Sequence, residues 1–475
     1  MIKRTARAWT AVPVMALMIL SLSLAGCKGL SGLDRLRDGA QTDRRVITVV
    51  PPETQADANS GAPAVSADSR FVAFESDATN LVNAVTTGAT GIFVKDTQSG
   101  KVIQASSSSD GVPGNRDSGN PAISSDGRFV AFDSTATNLV PDDNNDSCVL
   151  ASGVTINCGD VFIKDVTSGE TALVSTDAAG VQGDYHNSDP AISADGRYVA
   201  FRSAASNLVP GITNGRMDIF VKDTRTGRIE RISTAADGAE ADGDSIHPSI
   251  SADGRHVAFS STAANLVPGD SNGKPDVFVK DRQTGSITRV STGTDGEQAD
   301  DASRAMGLVL SADGRFVAFE SAATNLVAGI TNGKRDVFIK DVRTGELARA
   351  SVGADGDQGL EDSYGSISLS RDGRWVAFRS DAPNLVEGDT NLKADIFVKD
   401  LHSGAIARVS TGQDGAQGNG SSENAAISAD GRWAAFDSSS SDLIVGDTND
   451  KRDIFLKDIV SGGVTRVSTS TTDVT

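Results

Sequence analysis

The sequence predicts an all-β chain folded as a seven-bladed β-propeller with four antiparallel strands per blade, and three observations carry that prediction. The phrase Ser-x-Asp-x-Arg recurs seven times, from Ser66, Ser124, Ser193, Ser251, Ser311, Ser370 and Ser428, at spacings of 58, 69, 58, 60, 59 and 58 residues. A fixed period of this size marks an array of like supersecondary units. Every unit holds short apolar runs separated by turn dipeptides, and none shows the 3.6-residue spacing of an amphipathic helix. Finally, 475 residues exceed what one ordinary core holds, yet seven units of about 59 residues use some 410 of them and leave no room for a second domain. Four-stranded sheets stacked radially meet all three conditions, because the ring leaves only short, protected edges.

The fourth unit shows the strand grammar. Ser249-Ile250-Ser251 reads as the first strand and Asp253-Gly254 as a tight turn that tolerates positive φ. His256-Val257-Ala258-Phe259 is the second strand. A long loop leads to the third, Asp276-Val277-Phe278-Val279-Lys280, and a turn through Thr284-Gly285 leads to the fourth, Ser286 to Ser291. The nearly continuous apolar content of Val-Ala-Phe and Val-Phe-Val fits strands covered on both faces by neighbouring sheets.

Ser-Ala-Asp-Gly-Arg-x-Val-Ala-Phe followed by Asp-Val-Phe-Val-Lys-Asp-x-x-Thr-Gly resembles the WD-like propeller repeats of TolB-type proteins, over residues 60 to 470. Seven copies make the resemblance specific for the fold it implies. TolB-type proteins also carry a separate N-terminal α/β domain. Only about 30 residues here separate Cys27 from the first blade, so the TolB role in the Tol-Pal envelope system is not carried over.

Residues 1–26 read as an export signal. Lys3, Arg4 and Arg7 precede an apolar run from Trp9 to Leu24, and small residues follow. A membrane-spanning anchor is the rival reading, opposed by the shortness of the run and by Pro13. Leu24-Ala25-Gly26-Cys27 resembles the lipobox of bacterial lipoproteins, which implies cleavage before Cys27 and its lipidation. Lys28, where Asp would mark inner-membrane retention, points that resemblance toward the outer membrane. The expected location is therefore the periplasmic face of the outer membrane or the cell surface, with the lipid as the only membrane contact. Residues 27–58 form a tether and 59–475 the propeller. Arg45-Val46-Ile47-Thr48 copies a fourth strand, so 45–49 is either a ring-closing strand or extended tether.

Taking Cys27 for lipid leaves Cys148 and Cys158, read as a disulfide of an exported protein that closes the one 11-residue insertion. In the chain-entropy model such a bridge is worth about 3 kcal/mol. A metal-binding pair is the alternative, although no His lies in the insertion.

The formal charge is −19, and loss of Lys3, Arg4 and Arg7 with an acid-free leader makes it −22 in the mature chain. Such acidity excludes nucleic acid as a partner, since its phosphates are held mainly by Lys and Arg. A hydrophobic content of 38% excludes a polytopic membrane protein. The loops between second and third strands, and those joining blades, are acidic and Gly-rich. They are expected to share one working face.

The second-to-third loop carries Asn-Leu-Val in six blades, at Asn80, Asn138, Asn207, Asn265, Asn325 and Asn384, and Asp442-Leu443-Ile444 in the seventh. These positions read as structural, with Asn making a local backbone bond and Leu plugging the loop onto the blade. The loop continues as Asp270, Asn272 and Asp276, as Asp389, Asn391 and Asp395, and as Asp447, Asn449 and Asp453. Oxygen ligands in this order are of the kind Ca²⁺ takes, while Asx and Asn-Gly turns explain the same residues without a metal. No cofactor is expected beyond that possible Ca²⁺. Gly269-Asp270-Ser271-Asn272-Gly273 matches a nucleophile elbow by letter, but it joins two strands and lacks a His partner.

Four residues before each inner-turn Ser the blades offer Ala62, Asn120, Asp189, His247, Gly307, Ser366 and Asn424. These should ring the mouth of the central channel, with His186, Tyr185, Tyr364 and Arg304 nearby. A polar ring at a concave opening is the default ligand site of the architecture, and solvated loop residues are the plain alternative. The expected function is a monomeric scaffold that binds a protein or envelope polymer through its acidic face, without catalysis. The alternative is a propeller enzyme acting on a polysaccharide at the channel mouth.

Overall fold

The two apolar runs at the heart of each repeat pair because each brings one Phe to the same cross-strand position. Phe259 faces Phe278 with ring centroids 5.9 Å apart at 28°, and all seven blades repeat the pair. Fourteen of the 17 Phe are spent this way. The computed structural model describes residues 54–83, 88–145, 147–149, 154–330 and 332–470. Among them lie seven antiparallel four-stranded sheets, at residues 60–104, 118–173, 187–231, 245–289, 303–349, 363–408 and 422–466, with a short hairpin of Cys148–Val149 and Thr155–Ile156 inside the second. The chain is a seven-bladed β-propeller, as the repeat predicts. In blade 4 the strands are Ser245–Ile250, His256–Ser261, Asp276–Asp281 and Ile287–Arg289, counted outward from the channel.

The recurring phrase is a polar clasp. Ser251 Oγ donates to Asp253 Oδ1 (2.6 Å) and accepts from the His256 amide (2.9 Å), while Arg255 forks onto Asp281 at the far end of the third strand (3.0 and 2.7 Å). The equivalent forks of Arg128 and Arg197 hold Asp165 and Asp223 down at about 2. The remaining three Phe, at positions 71, 129 and 316, begin second strands, where other blades have Tyr198, His256, Trp375 and Trp433. Each of these rings but that of Trp433 lies against the Asp-Gly glycine of the next blade. A Cβ on Gly254, whose φ is +72°, would meet Tyr198 at 2.2 Å. The glycine therefore serves the turn and the blade interface at once.

Blades are joined by a lysine from each third strand. Lys222 Nζ, buried, reaches the Thr176 carbonyl and hydroxyl (2.9 and 2.8 Å) and the Asp177 carbonyl (2.7 Å) of the preceding linker. Lys164, Lys280, Lys340, Lys399 and Lys457 repeat the contact, and Lys95 makes it to Thr469, joining blade 1 to blade 7. A second ring of bonds runs round one end of the channel, from Ala67 to Ser125 to Ala194 to Ala252 to Ala312, and from Arg371 through Ala429 back to Ala67.

Among the described residues the ring closes through the linker. Thr54–Gln55 pairs with Thr469–Ser470, as Thr411 pairs with Gln417 inside the chain, and the Ala56 amide donates to the Ser468 carbonyl (3.1 Å). Residues 45–49, the other candidate for closure, lie outside the described residues, as do Cys27 and the leader. The expected local bond of the loop Asn proves to be a longer clamp. Asn138 accepts the Asn115 amide (3.0 Å) and donates to the Pro113 carbonyl (2.9 Å), fastening its loop to the linker. The Leu beside it, Leu139, is buried as expected.

Replacing Lys222 with Met leaves linker carbonyls without a donor and is expected to lower unfolding stability by about 2 to 4 kcal/mol. Urea denaturation measures this, and an unchanged midpoint would contradict the role given to the lysine. Gly254→Ala adds both a left-handed Cβ and a clash with Tyr198, for an expected loss of about 2 to 3 kcal/mol in the same assay.

Candidate functional site

At the channel the innermost strands all break register once. In blade 2 the pairing jumps between Gly119 and Ala122, and equivalent breaks occur in the other six blades. Four of these breaks hold a proline, at Pro63, Pro121, Pro190 and Pro248, which has no amide hydrogen to give to the ladder. The residue before it takes a left-handed conformation, with φ of 48° at Ala62, 52° at Asn120, 53° at Asp189 and 52° at His247. Asn424 (47°) and Gly365 (83°) do the same in blades 7 and 6. A non-glycine residue held there stores strain, which gathers at ligand and active sites.

The structure brings Ala62, Asn120, Asp189, His247, Ser366 and Asn424 together on one central cavity of about 600 Å³. Ser366 is not the left-handed residue of its blade, because blade 6 places one extra residue in its inner strand, and blade 5 places two. The repeat spacings of 59 and 60 record those insertions. Toward its other end the channel narrows onto Ile123, Ile192, Ile250, Leu310, Leu369 and Ile427.

Behind the breaks stands a second ring that sequence reasoning missed. It is the residue after the Phe of each second strand: Glu75, Asp133, Arg202, Ser260, Glu320, Arg379 and Asp437. Three of its four acids take amides that the breaks set free in the next blade. The Asn120 amide donates to Glu75 Oε1 (2.7 Å), that of Asp189 to Asp133 Oδ2 (3.0 Å) and that of Gly365 to Glu320 Oε2 (2.9 Å). The signal was present as the variable letter in Val-Ala-Phe-x-Ser.

Charge is distributed unevenly round this ring. Asp189 pairs with Arg202 (3.1 Å) and with His247 (3.2 Å). Burial pushes the Asp189 carboxyl up, but these partners outweigh it and hold it below its usual value. Tyr364 is sandwiched between the guanidinium groups of Arg335 and Arg379, at 4.0 and 4.1 Å. Arg452 bridges Asp437 (2.8 Å) and Glu423 (2.9 Å). No ion pair joins Glu75 or Asp133 to a cation among the described residues. Burial, with the charges of Asp189 and Glu75 added, pushes Asp133 up to about 7, and burial raises Glu75 as well.

Glu75, Asp133, Thr90, Asp117 and His186 line a side pocket of about 260 Å³ between the first blades. His186, expected at the mouth, stands here instead. Its ring lies over Gly159 and its Nδ1 accepts the Gly159 amide (2.9 Å), which places the proton of the neutral ring on Nε2. Burial pushes its pKa down. Gly159 directly follows Cys158, whose disulfide to Cys148, with Cα atoms 5.1 Å apart, closes the insertion. Ahead of the insertion, the Asn144 amide donates to Gln182 Oε1 of the following linker (2.9 Å), as the Ser271 amide does to Gln298 in blade 4.

The acidic loop residues have partners within the chain. Asp270 and Asp276 both accept from Gln298 (2.8 Å each) and lie 3.6 and 3.8 Å from Arg289. Arg408 stands the same way between Asp389 and Asp395, and Arg466 between Asp447 and Asp453. Asn272, Asn391 and Asn449 clamp linker carbonyls at Ala299, Gly418 and Ala56. Blade 2 has Leu173 in place of the arginine; burial pushes Asp160 up to about 6 there, and Asp395 up to about 6 beside Arg408 as well.

No protein-family model matches the sequence, and no curated protein is similar to it. Among solved structures the chain is similar to an oligogalacturonate lyase in complex with manganese, with TM-score 0.50 and 12% identity over 88% of this chain and 91% of that one. It is also similar to a prolyl endopeptidase, with TM-score 0.50 and 13% identity over 87% of this chain and 50% of that one. TolB from Acinetobacter baumannii matches with TM-score 0.39 and 16% identity over 76% of this chain. What they share with it is the propeller. The chain spans 64% of that TolB and 50% of the endopeptidase, and at these identities the likeness is one of fold.

Asp133→Asn keeps one acceptor oxygen for the two amides that bond it and removes the buried charge. Because the folded carboxyl titrates near 7 and the unfolded one near 3.8, its stabilising contribution is complete below about pH 3.8 and lost as pH rises through 7. The variant is therefore expected to gain on the native chain from pH 4 to 7, reaching about 4 kcal/mol and holding level above. Denaturation at a series of pH values measures the difference, and a gap independent of pH would contradict the shift.

Proposed function

We propose that this chain is an exported, lipid-anchored binding module that takes a basic segment of a partner protein at its channel mouth. The observation that supports this reading is the uneven charge of the second ring. Asp189 in blade 3 and Asp437 in blade 7 meet cations of their own blades, whereas Glu75 and Asp133 have no ion-pair partner among the described residues at blades 1 and 2. In a chain whose mature formal charge is −22, that opening, in the ring behind the mouth, is where a cation gains most. Rim carboxylates add steering, which salt screens. The alternative, catalysis on a polysaccharide at the same mouth, draws on Asp133, a carboxyl that titrates near neutrality close to His186.

The test is recovery of partners from envelope extract by the tagged chain at about 50 mM and about 500 mM salt, where exposed charge pairs differ strongly in screening. Recovery is expected at low salt and loss at high salt. Equal recovery of every partner at both would contradict the electrostatic reading.

A further inference from the structure

We propose that the pocket between blades 1 and 2 is a slot for one arginine side chain of that partner, and that blade 7 shows how the slot is filled. The inference rests on the reading of the mouth as a binding site and names the group bound there.

In blade 7 the residue before the third strand is Arg452. Its Nη1 reaches Asp437 Oδ2 (2.8 Å) and Glu423 Oε2 (2.9 Å). Its amide is held by Asn59 Oδ1 (3.1 Å), and its carbonyl accepts the Ser60 amide (2.8 Å). Blade 2 builds the same frame with the side chain missing. There the residue before the third strand is Gly159, its amide held by His186 Nδ1 (2.9 Å) and its carbonyl accepting the Asn187 amide (2.7 Å).

The carboxylates correspond as well. Asp133 pairs with Val161 and with Gly119, as Asp437 pairs with Ile454 and with Glu423. Gly119 thus occupies the place of Glu423, and the second carboxylate comes from Glu75 of the neighbouring blade. A Cβ on Gly119 would lie 3.3 Å from Glu75 Oε1 and 3.3 Å from Asp133 Oδ1, so those oxygens are no more than 6.6 Å apart. Both bonds that Asp133 receives, from the Asn120 amide group (2.8 Å) and the Asp189 amide (3.0 Å), fall on Oδ2 and leave Oδ1 toward the pocket. The Asn120 amide takes Glu75 Oε1 and leaves Oε2 open.

Two carboxylates on different blades, with hydroxyls of Thr90 and Thr135 beside them, suit a planar fork of donors better than a point charge. The cavity, about 260 Å³, has the size of one side chain. Other charged groups are already engaged. Asp117 accepts the Thr90 amide (2.9 Å), Arg116 reaches the Thr135 carbonyl (3.4 Å), and Arg202 and His247 hold Asp189.

The experiment titrates the full chain with L-argininamide, L-lysinamide and the uncharged L-citrullinamide, read by calorimetry and by melting temperature. L-Argininamide is expected to bind and to raise the melting temperature, L-citrullinamide to do neither, and Glu75→Gln/Asp133→Asn to weaken binding at least tenfold. The double variant Gly159→Arg/His186→Asn recreates the Asn59 and Arg452 pairing. It is expected to melt higher without ligand and to bind no L-argininamide. Binding that survives in both variants, or no binding by the native chain, would overturn the slot, and equal binding of L-lysinamide would overturn the choice of arginine. A salt-sensitive partner still recovered by the Gly159→Arg/His186→Asn chain would refute the slot while leaving the binding role standing. L-Argininamide binding with no partner recovered would do the reverse.

Discussion

A propeller is a ring of sheets that hardly share strands, so its integrity depends on what passes between blades. Here the carrier is a buried ammonium. The penultimate residue of each third strand is a lysine whose Nζ turns away from its own sheet and lodges among carbonyl oxygens of the preceding linker. Among the described residues no carboxylate forms an ion pair with Lys164, Lys222, Lys280, Lys340, Lys399 or Lys457. Their charge is held mainly by carbonyl and hydroxyl oxygens, and burial pulls their pKa down although aspartates such as Asp177 and Asp237 lie near enough to oppose it. An ammonium placed so is tolerable only while the neighbouring blade supplies its oxygens, so each blade makes its neighbour a condition of its own stability. Lys95 and Thr469 extend that condition across the two ends of the chain, where no covalent link exists.

The mouth follows from a related constraint. A break in each inner strand frees a backbone amide near the channel, and a freed amide at this depth requires an acceptor. Glu75, Asp133 and Glu320 supply it. Carboxylates at this depth are themselves costly to bury, and the chain offsets that cost at Asp189 with Arg202 and at Asp437 with Arg452. Strain, acceptors and cations form one sequence of compensations. It stops short at blades 1 and 2, where Thr90 and Gly159 stand in the place that Arg452 fills.

Much of this was legible because the chain repeats itself. The clasp from Ser251 to Asp253, the loop Leu, the Phe pairs and the pairing of Cys148 with Cys158 all follow from patterns within one unit or from parity. Less legible was anything that joins one unit to the next. The lysine of Val-Phe-Val-Lys reads as an ordinary solvent-facing position, since its acceptors lie some 46 residues earlier in a loop of unremarked sequence. The glycine of Asp-Gly reads as a turn residue, and its contact with the ring of Tyr198 appears only when blades are set side by side. His186 was placed at the mouth by sequence distance, but the frame that holds Gly159 turns it into the side pocket.

The sequence by itself determined the number of blades, the strands of each, the insertion and its disulfide, because these depend on local pattern and on counting. It also marked, through Pro121 and the spacings of 59 and 60, where the inner strands break. Only the tertiary structure decided which charges meet. Asp437 and Arg452 are 15 residues apart and form a pair, while Glu75 and Asp133 are 58 apart and flank one cavity. Whether an acid has a cation partner depends on which residue the next element brings over it, and a difference as small as Gly159 for Arg452 leaves the composition almost unchanged while opening a site.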